Sequence, residues 1–241
     1  GGNTILMPLG GKLQLTPACG MAAKLPTTNV NTTTSTLMTF GFDPVVSKKS
    51  PYHGAMYAVI DSVTKIAAMG GDISKVRLSF QEYFERMTAD PAVWGKPFMA
   101  LLGALTAQKK LGIPAIGGKD SMSGTFMDIS VPPTLISFAV GITSSDNIIS
   151  PEFKKTDSYI VYLYPGRDEN NVIDFDNYIA NMKRVRRLAM EKSILAANTI
   201  GKGGIFISLV KMAAGNSIGV NLSNITEKEL KCADYGGLLL E

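Results

Sequence analysis

The segment Gly117-Gly118-Lys119-Asp120-Ser121-Met122-Ser123-Gly124 sets a cation, a carboxylate and two hydroxyls beside paired glycines. Glycines let the backbone approach a ligand closely. An ammonium, hydroxyls and backbone N–H groups converging at a strand end suit a phosphate ester. The spacing is not a Walker A loop, because no G-x-x-x-x-G-K-[ST] pattern is present. The same composition also describes a plain turn with a solvated Lys–Asp pair, and residue types alone leave both readings open.

Other residues are weaker candidates. Gly201-Lys202-Gly203-Gly204 precedes a predicted helix, whose first N–H groups lack intrahelical partners and attract anions. A simple loop-to-helix junction is the plainer reading. Asp61 and Lys65 lie four apart and share a helix face. They read either as a site carboxylate with a neighbour or, as spacing alone favours, as a surface ion pair of little value. His53 has no recognisable Ser or Cys nucleophile motif beside it and reads as structural. One histidine and two cysteines, Cys19 and Cys232, exclude a multi-histidine metal site, a cysteine-built zinc site and a disulfide scaffold. Lys183-Arg184 and Arg186-Arg187 flank an apolar face of Ile179, Met182, Val185 and Ala189, which reads as a solvated basic face. Without interleaved aromatics, no nucleic-acid partner is expected.

The elements that must position these residues follow from periodicity. Strands are predicted at Thr4–Leu9, around Leu13–Leu15, at Leu37–Phe42 and at Val76–Phe80, with 27–36 a mobile loop or exposed edge. Ser50 caps a helix with Pro51 at its first position and Met56, Val59, Ile60, Val63, Ile66 and Ala67 on one face. Phe98, Leu101, Leu102 and Leu105 mark the apolar face of a second helix that Gly112 caps. Ile113–Ile116 is a short strand from whose end the Gly117–Ser121 loop opens, and Leu135–Ile142 is a buried strand. A boundary is expected near 146–157, dividing the chain into 1–148 and 149–241. Beyond it come a strand at Tyr159–Tyr164, helices at Asp176–Ala197 and Ile205–Ala214, and strands near Ile218–Leu222 and Gly237–Leu240.

Composition bounds the class. The chain has 241 residues, 45% hydrophobic and 18% charged, with a net charge of +4. That length buries a full core without staples. The mild basic excess fits phosphate-bearing partners but does not argue for nucleic acid. Phe98–Ala107, the most apolar stretch, is half the ~20 residues of a bilayer helix, so no membrane partner is expected. Reduced thiols and the lack of an export signal suggest the cytoplasm. The absence of an initiator Met and the apolar last residues, Leu238-Leu239-Leu240-Glu241, suggest a piece of a longer chain.

Three blocks carry a family resemblance. Ile113 to Ser123 (IPAIGGKDSMS) resembles the IPVGKDSMS segment of large, single-chain phosphoribosylformylglycinamidine synthase. Ala67 to Ser79 (AAMGGDISKVRLS) resembles that family's AATxIGDIKxIKLS, and Gly203 to Gly215 resembles its DGGLLVTLAEMAFAG. Their order and spacing agree, and the resemblance covers about Ile5 to Glu241. It implies an α/β (α+β), aminoimidazole-ribonucleotide-synthetase-like (PurM-like) repeat. An N-terminal sheet-plus-helices subdomain precedes a truncated α/β C-terminal subdomain, and the chain corresponds to the second of two repeats.

The implied reaction is an ATP- and glutamine-dependent amidation. The formamide oxygen of formylglycinamide ribonucleotide is phosphorylated, and ammonia then displaces phosphate to give the amidine. In the family, the working ATP site and catalytic histidine belong to the first repeat, so no catalytic residue is expected here. The implied partners are that repeat and a glutaminase domain. Gly118, Lys119, Asp120, Ser121 and Ser123 are implied to face substrate. Asp61, Lys65, Thr199 and Gly201 are implied to be the remnant of an auxiliary magnesium–nucleotide site. Asp61 falls where the family has a metal-ligating Glu, while Lys65, Thr199 and a position near Pro17 fall where it has Asn, Asp and Asp. Three ligands are lost, so no magnesium is expected. The alternatives are a non-catalytic structural half-module or a small-molecule phosphotransferase of the same superfamily. The isolated chain is expected to be inactive and to pair as a homodimer through the sheet that its missing partner repeat would cover.

Overall fold

The computed structural model describes residues 2–223 and 225–241. A five-stranded sheet dominates the first part. Its strands are Met21–Lys24 (β1), Thr34–Gly41 (β2), Arg77–Tyr83 (β3), Ala115–Lys119 (β4) and Thr134–Ser144 (β5), in the order β1-β2-β5-β3-β4. All neighbours are antiparallel except the β3–β4 pair, which is parallel. The segment 27–36 is therefore only partly a loop. Thr34–Thr36 begin an interior strand, because Ser35 turns its small side chain to the core while the backbone pairs on both sides.

Two helices cover one face. Asp43 caps a short helix, Pro44–Lys49 (α1), by accepting from the Val45 and Val46 N–H groups. Ser50 then accepts from the His53 N–H to open Pro51–Ala68 (α2), with Pro51 at the first helical position. Such a cap contributes ~1 kcal/mol. Met56, Ile60 and Ile66 are fully buried, each worth roughly 1.5–3 kcal/mol.

Helix Pro91–Leu111 (α3) ends at Gly112 in the left-handed conformation (φ 67°). It begins earlier than the apolar pattern predicts, because Asp90 caps it and Pro91 fits its first turn. Its facing is the reverse of the expectation. Phe98, Leu101 and Leu105 are exposed, while Ala100, Gly103, Ala104 and Ala107 are buried. The two helices approach too closely for large side chains: a Cβ on Gly103 would lie 2.0 Å from the Tyr52 carbonyl oxygen.

The uncovered sheet face carries Met38, Phe40, Phe138, Val140 and Ile142, all exposed. The covered face carries Leu37, Leu135 and Ala139 beside small polar residues, with Ser62 and Ser137 hydroxyls 2.9 Å apart.

The second part holds a three-stranded antiparallel sheet of Val161–Leu163 (β6), Ala197–Thr199 (β7) and Leu238–Leu240 (β8), with β8 central. Helix Phe175–Met190 (α4) lies against α2, where Tyr178 and Thr64 hydroxyls are 2.9 Å apart. It stops short of Ala197, because Lys192 takes a left-handed conformation (φ 58°) and Ala197 enters β7. Gly204–Ala214 (α5) and Glu227–Lys231 (α6) complete the helices. No strand forms at Ile218–Leu222, where Ser217 (φ 52°) turns the chain into irregular structure. At the N-terminus, Leu9–Gly10 and Thr16–Pro17 form only a minimal ladder, so the predicted Thr4–Leu9 strand is reduced to a bridge at Thr4 and this pair. No helix among the described residues is long and apolar enough to cross a membrane.

Candidate functional site

Two separate places gather the residues singled out above. The first is the β4 edge. Strand β4 runs on through Gly117, Gly118 and Lys119 instead of ending at Ile116, so the glycines are strand and not loop. Gly118 pairs with Phe80 and Lys119 with Gln81. A Cβ on Gly118 would lie 2.4 Å from the Phe80 carbonyl oxygen, so that register requires glycine.

Beyond the strand the chain stays tied to the β3 edge. Ser121 N–H donates to Glu82 O (3.1 Å), Phe84 N–H to Ser121 O (2.9 Å) and Gly124 N–H to Phe84 O (2.9 Å). Ser121 and Ser123 hydroxyls are 3.0 Å apart. Gly118, Lys119, Asp120 and Ser123 are exposed and Ser121 is half-buried. Burial, and then the like charge of Asp120, raise the Glu82 carboxyl above its ordinary value. The structure thus brings together an exposed cation and a linked hydroxyl pair on a pinned backbone.

The second place is a cavity of about 360 Å³ where α2, β7, α5 and the segment 17–19 meet. It gathers all four predicted remnant residues, Asp61, Lys65, Thr199 and Gly201. Asp61 is buried and its Oδ2 accepts from Lys65 Nζ at 2.6 Å, so the pair is not the surface ion pair that spacing suggested. Lys65 also donates to Phe40 O (2.7 Å) and lies 5.0 Å from the Phe40 ring centroid. Burial raises the Asp61 carboxyl above the ordinary carboxylate range, and Lys65 counters only part of that.

Cys19, Lys211 and Tyr235 also line this cavity and carried no motif. The Cys19 thiol donates to Asn198 Oδ1 (3.2 Å), and burial pushes its pKa up to about 11. Tyr235 donates to Asp43 Oδ2. No residue of 117–124 is on the cavity wall.

His53 serves neither place. Its Nε2 lies 2.9 Å from Asn170 O, a pure acceptor, so Nε2 donates there, and Nδ1 lies 2.8 Å from Ser50 Oγ. The ring ties α2 to the second part of the chain. A neighbouring tie is Arg167, which pairs with Asp234 and donates from Nε to Tyr57 OH (3.0 Å).

The cavity wall does not suit magnesium. Among the described residues Asp61 is the one carboxylate on that wall and is engaged by Lys65, whereas a hard divalent cation takes about six oxygens. Among the described residues no group of three or more His, Cys, Asp or Glu side chains is placed to hold a metal.

The fold is α/β of the PurM-like class, as solved structures show. AaThiL complexed with AMPPCP and TMP superposes with a TM-score of 0.57 at 12% identity, covering 91% of this chain and 77% of that one. The nearer likenesses are to PurL. Thermotoga maritima PurL complexed with AMPPCP gives a TM-score of 0.70 at 16% identity, over 100% of this chain and 36% of that one. The same protein complexed with FGAR gives 0.65 at 14%, over 88% and 38%.

In sequence, the chain is 24% identical over 195 residues to the phosphoribosylformylglycinamidine synthase subunit PurL of Thermococcus sibiricus, and 22% identical over 226 residues to that of Methanobrevibacter smithii. These alignments cover 73% and 83% of this chain but only 27% and 31% of those proteins. No family model matches the chain.

Proposed function

We propose that this chain is the second PurM-like repeat of a phosphoribosylformylglycinamidine synthase, from the single-chain form that the Ile113–Ser123 block resembles. The whole enzyme converts formylglycinamide ribonucleotide to the amidine, using ATP and ammonia from glutamine. Its working ATP site lies in the first repeat, and the ammonia comes from a glutaminase domain, both in the cytoplasm. PurL relatives and the FGAR-bound Thermotoga neighbour support the substrate class.

Within this reading, the edge at 118–123 faces substrate. Lys119 supplies charge, Ser121 and Ser123 supply hydroxyl donors, and Gly118 and Asp120 set the backbone and local field. The observation that carries it is the linked Ser121–Ser123 hydroxyl pair on a pinned backbone just past the exposed Lys119. The cavity around Asp61, Lys65, Thr199 and Gly201 is a remnant auxiliary nucleotide site without magnesium. The two subdomains divide near residue 148, after the last strand of the large sheet. Alone, the chain turns nothing over.

In the full-length synthase, Ser121→Ala or Lys119→Ala lowers kcat/KM for the ribonucleotide about tenfold, a loss of ~1.4 kcal/mol in transition-state binding. Unchanged kinetics would reduce the motif to a turn.

The apolar face of Met38, Phe40, Phe138, Val140 and Ile142 is where the first repeat would sit, and a second copy of this chain takes that place in isolation. A specific dimer buries more than ~1,000 Å² in total. Sedimentation equilibrium should give twice 25.8 kDa; a single monomer species contradicts the pairing.

A further inference from the structure

The outer faces of α3 and α4 differ. The exposed residues of α4 include Lys183, Arg184 and Arg187, as a helix facing water requires. On α3 the exposed line is Trp94, Phe98, Leu101 and Leu105, with Trp94 and Phe98 55% and 61% exposed. These residues follow one another at intervals of four, three and four, which keep side chains on one narrow seam and suit a second helix packed along it. Trp94 is already held in place, because its indole N–H donates to Thr88 O (2.9 Å), so covering its ring costs little rotamer freedom. Charge differs between the two ends of the seam. Asp90 caps the first end by accepting the Ala92 N–H (2.9 Å). Lys109 lies exposed at the other end, and among the described residues no hydrogen bond or ion pair engages its ammonium group. A second α3 laid antiparallel on the first sets Lys109 of each near Asp90 of the other, whereas a parallel pair sets like charges together. The antiparallel arrangement also places Trp94 across from Leu105 and Phe98 across from Leu101, so the seam is complementary to itself about a twofold axis.

We propose that the outer face of α3 is an interface between two copies of this chain, packed antiparallel along Trp94, Phe98, Leu101 and Leu105. These side chains offer on the order of 500 Å² per copy, hence about 1,000 Å² in total, the lower limit of a specific contact. The contact is therefore weak and forms at higher concentration than the sheet pairing. The two do not compete. The buried face of α3 packs on α2, and α2 covers the sheet face opposite to Met38 and Phe40, so sheet-paired dimers join through α3 into larger species.

Trp94 is the chain's single tryptophan, so its emission reports this seam and not the uncovered sheet face. The test follows sedimentation equilibrium and Trp94 fluorescence together, from micromolar to submillimolar concentration. Mass above two chains is expected to appear with a shift of the emission to shorter wavelength. Phe98→Glu, at an exposed position, should abolish both and leave the two-chain species. Lys109→Glu should weaken the association at least about threefold, because it sets a second carboxylate near Asp90 of the other copy. A chain that stops at two copies, with a shifted emission, and that Phe98→Glu returns to monomer keeps this proposal and removes the sheet pairing instead. Emission that does not move with concentration overturns it, and is the result expected if a helix of another domain owns the seam. Association that Phe98→Glu leaves intact, or that Lys109→Glu leaves unchanged, overturns it as well.

Discussion

Lys119 and Lys202 each sit among glycines at or just beyond the end of a short strand, yet their surroundings differ. Lys119 stands on the open edge of a large sheet, on a backbone held to β3 by its strand pairing and by the bonds of Ser121 and Gly124. Lys202 lies on the rim of a cavity where segments far apart in sequence converge. Glycine serves register in the first case, since Gly118 must clear the Phe80 carbonyl, and helix entry in the second. Similar residues around a lysine therefore do not define similar sites. What separates them is whether neighbouring elements leave the exposed cation on an open sheet edge or on the rim of a cavity.

Substituting the glycines should separate register from mere exposure, with the largest effect. Gly118→Val drives a side chain into the Phe80 carbonyl and should cost roughly 2–3 kcal/mol, whereas Gly117→Val meets nothing within 4 Å and should cost less than about 1 kcal/mol. Urea unfolding of the two variants gives the comparison. Equal costs would mean that β4 shifts freely along its partner.

Thiol chemistry probes the enclosed side. Cys232 is exposed, while Cys19 faces the cavity with its thiol pushed up to about 11 by burial. At neutral pH an alkylating reagent should modify Cys232 at least about tenfold faster than Cys19. Comparable rates would show that the cavity is open to reagent and that Cys19 is not desolvated.

Much of this was legible in the sequence where local chemistry decides structure. Ser50-Pro51 announced α2, Gly112 announced the end of α3, and the uncharged run Leu135–Ile142 announced β5. Legibility failed where tertiary packing decides. The large apolar residues of α3 face outward because the α2 contact admits only small ones, and no periodicity records that. Gly117–Lys119 read as a loop because glycines weaken any strand signal, yet pairing with β3 holds them extended. Asp61 and Lys65 were visible as a pair, but their burial depends on β2 and on the segment at 198–203 arriving from elsewhere in the chain. Lys211 and Cys19 had no motif at all, because the cavity they line exists only after folding.

The central claim is that Lys119 serves the reaction while the Asp61–Lys65 pair serves the fold and its own cavity. Removing Lys65 alone strands a buried carboxylate and should cost about 3 kcal/mol, so the clean comparison removes both charges together. The measurement is kcat/KM for formylglycinamide ribonucleotide in the full-length synthase, with Lys119→Met set beside Asp61→Asn/Lys65→Met. The account predicts a loss of about tenfold for Lys119→Met and a change of less than about twofold for the double variant. An unaffected Lys119→Met enzyme beside a disabled double variant would contradict it.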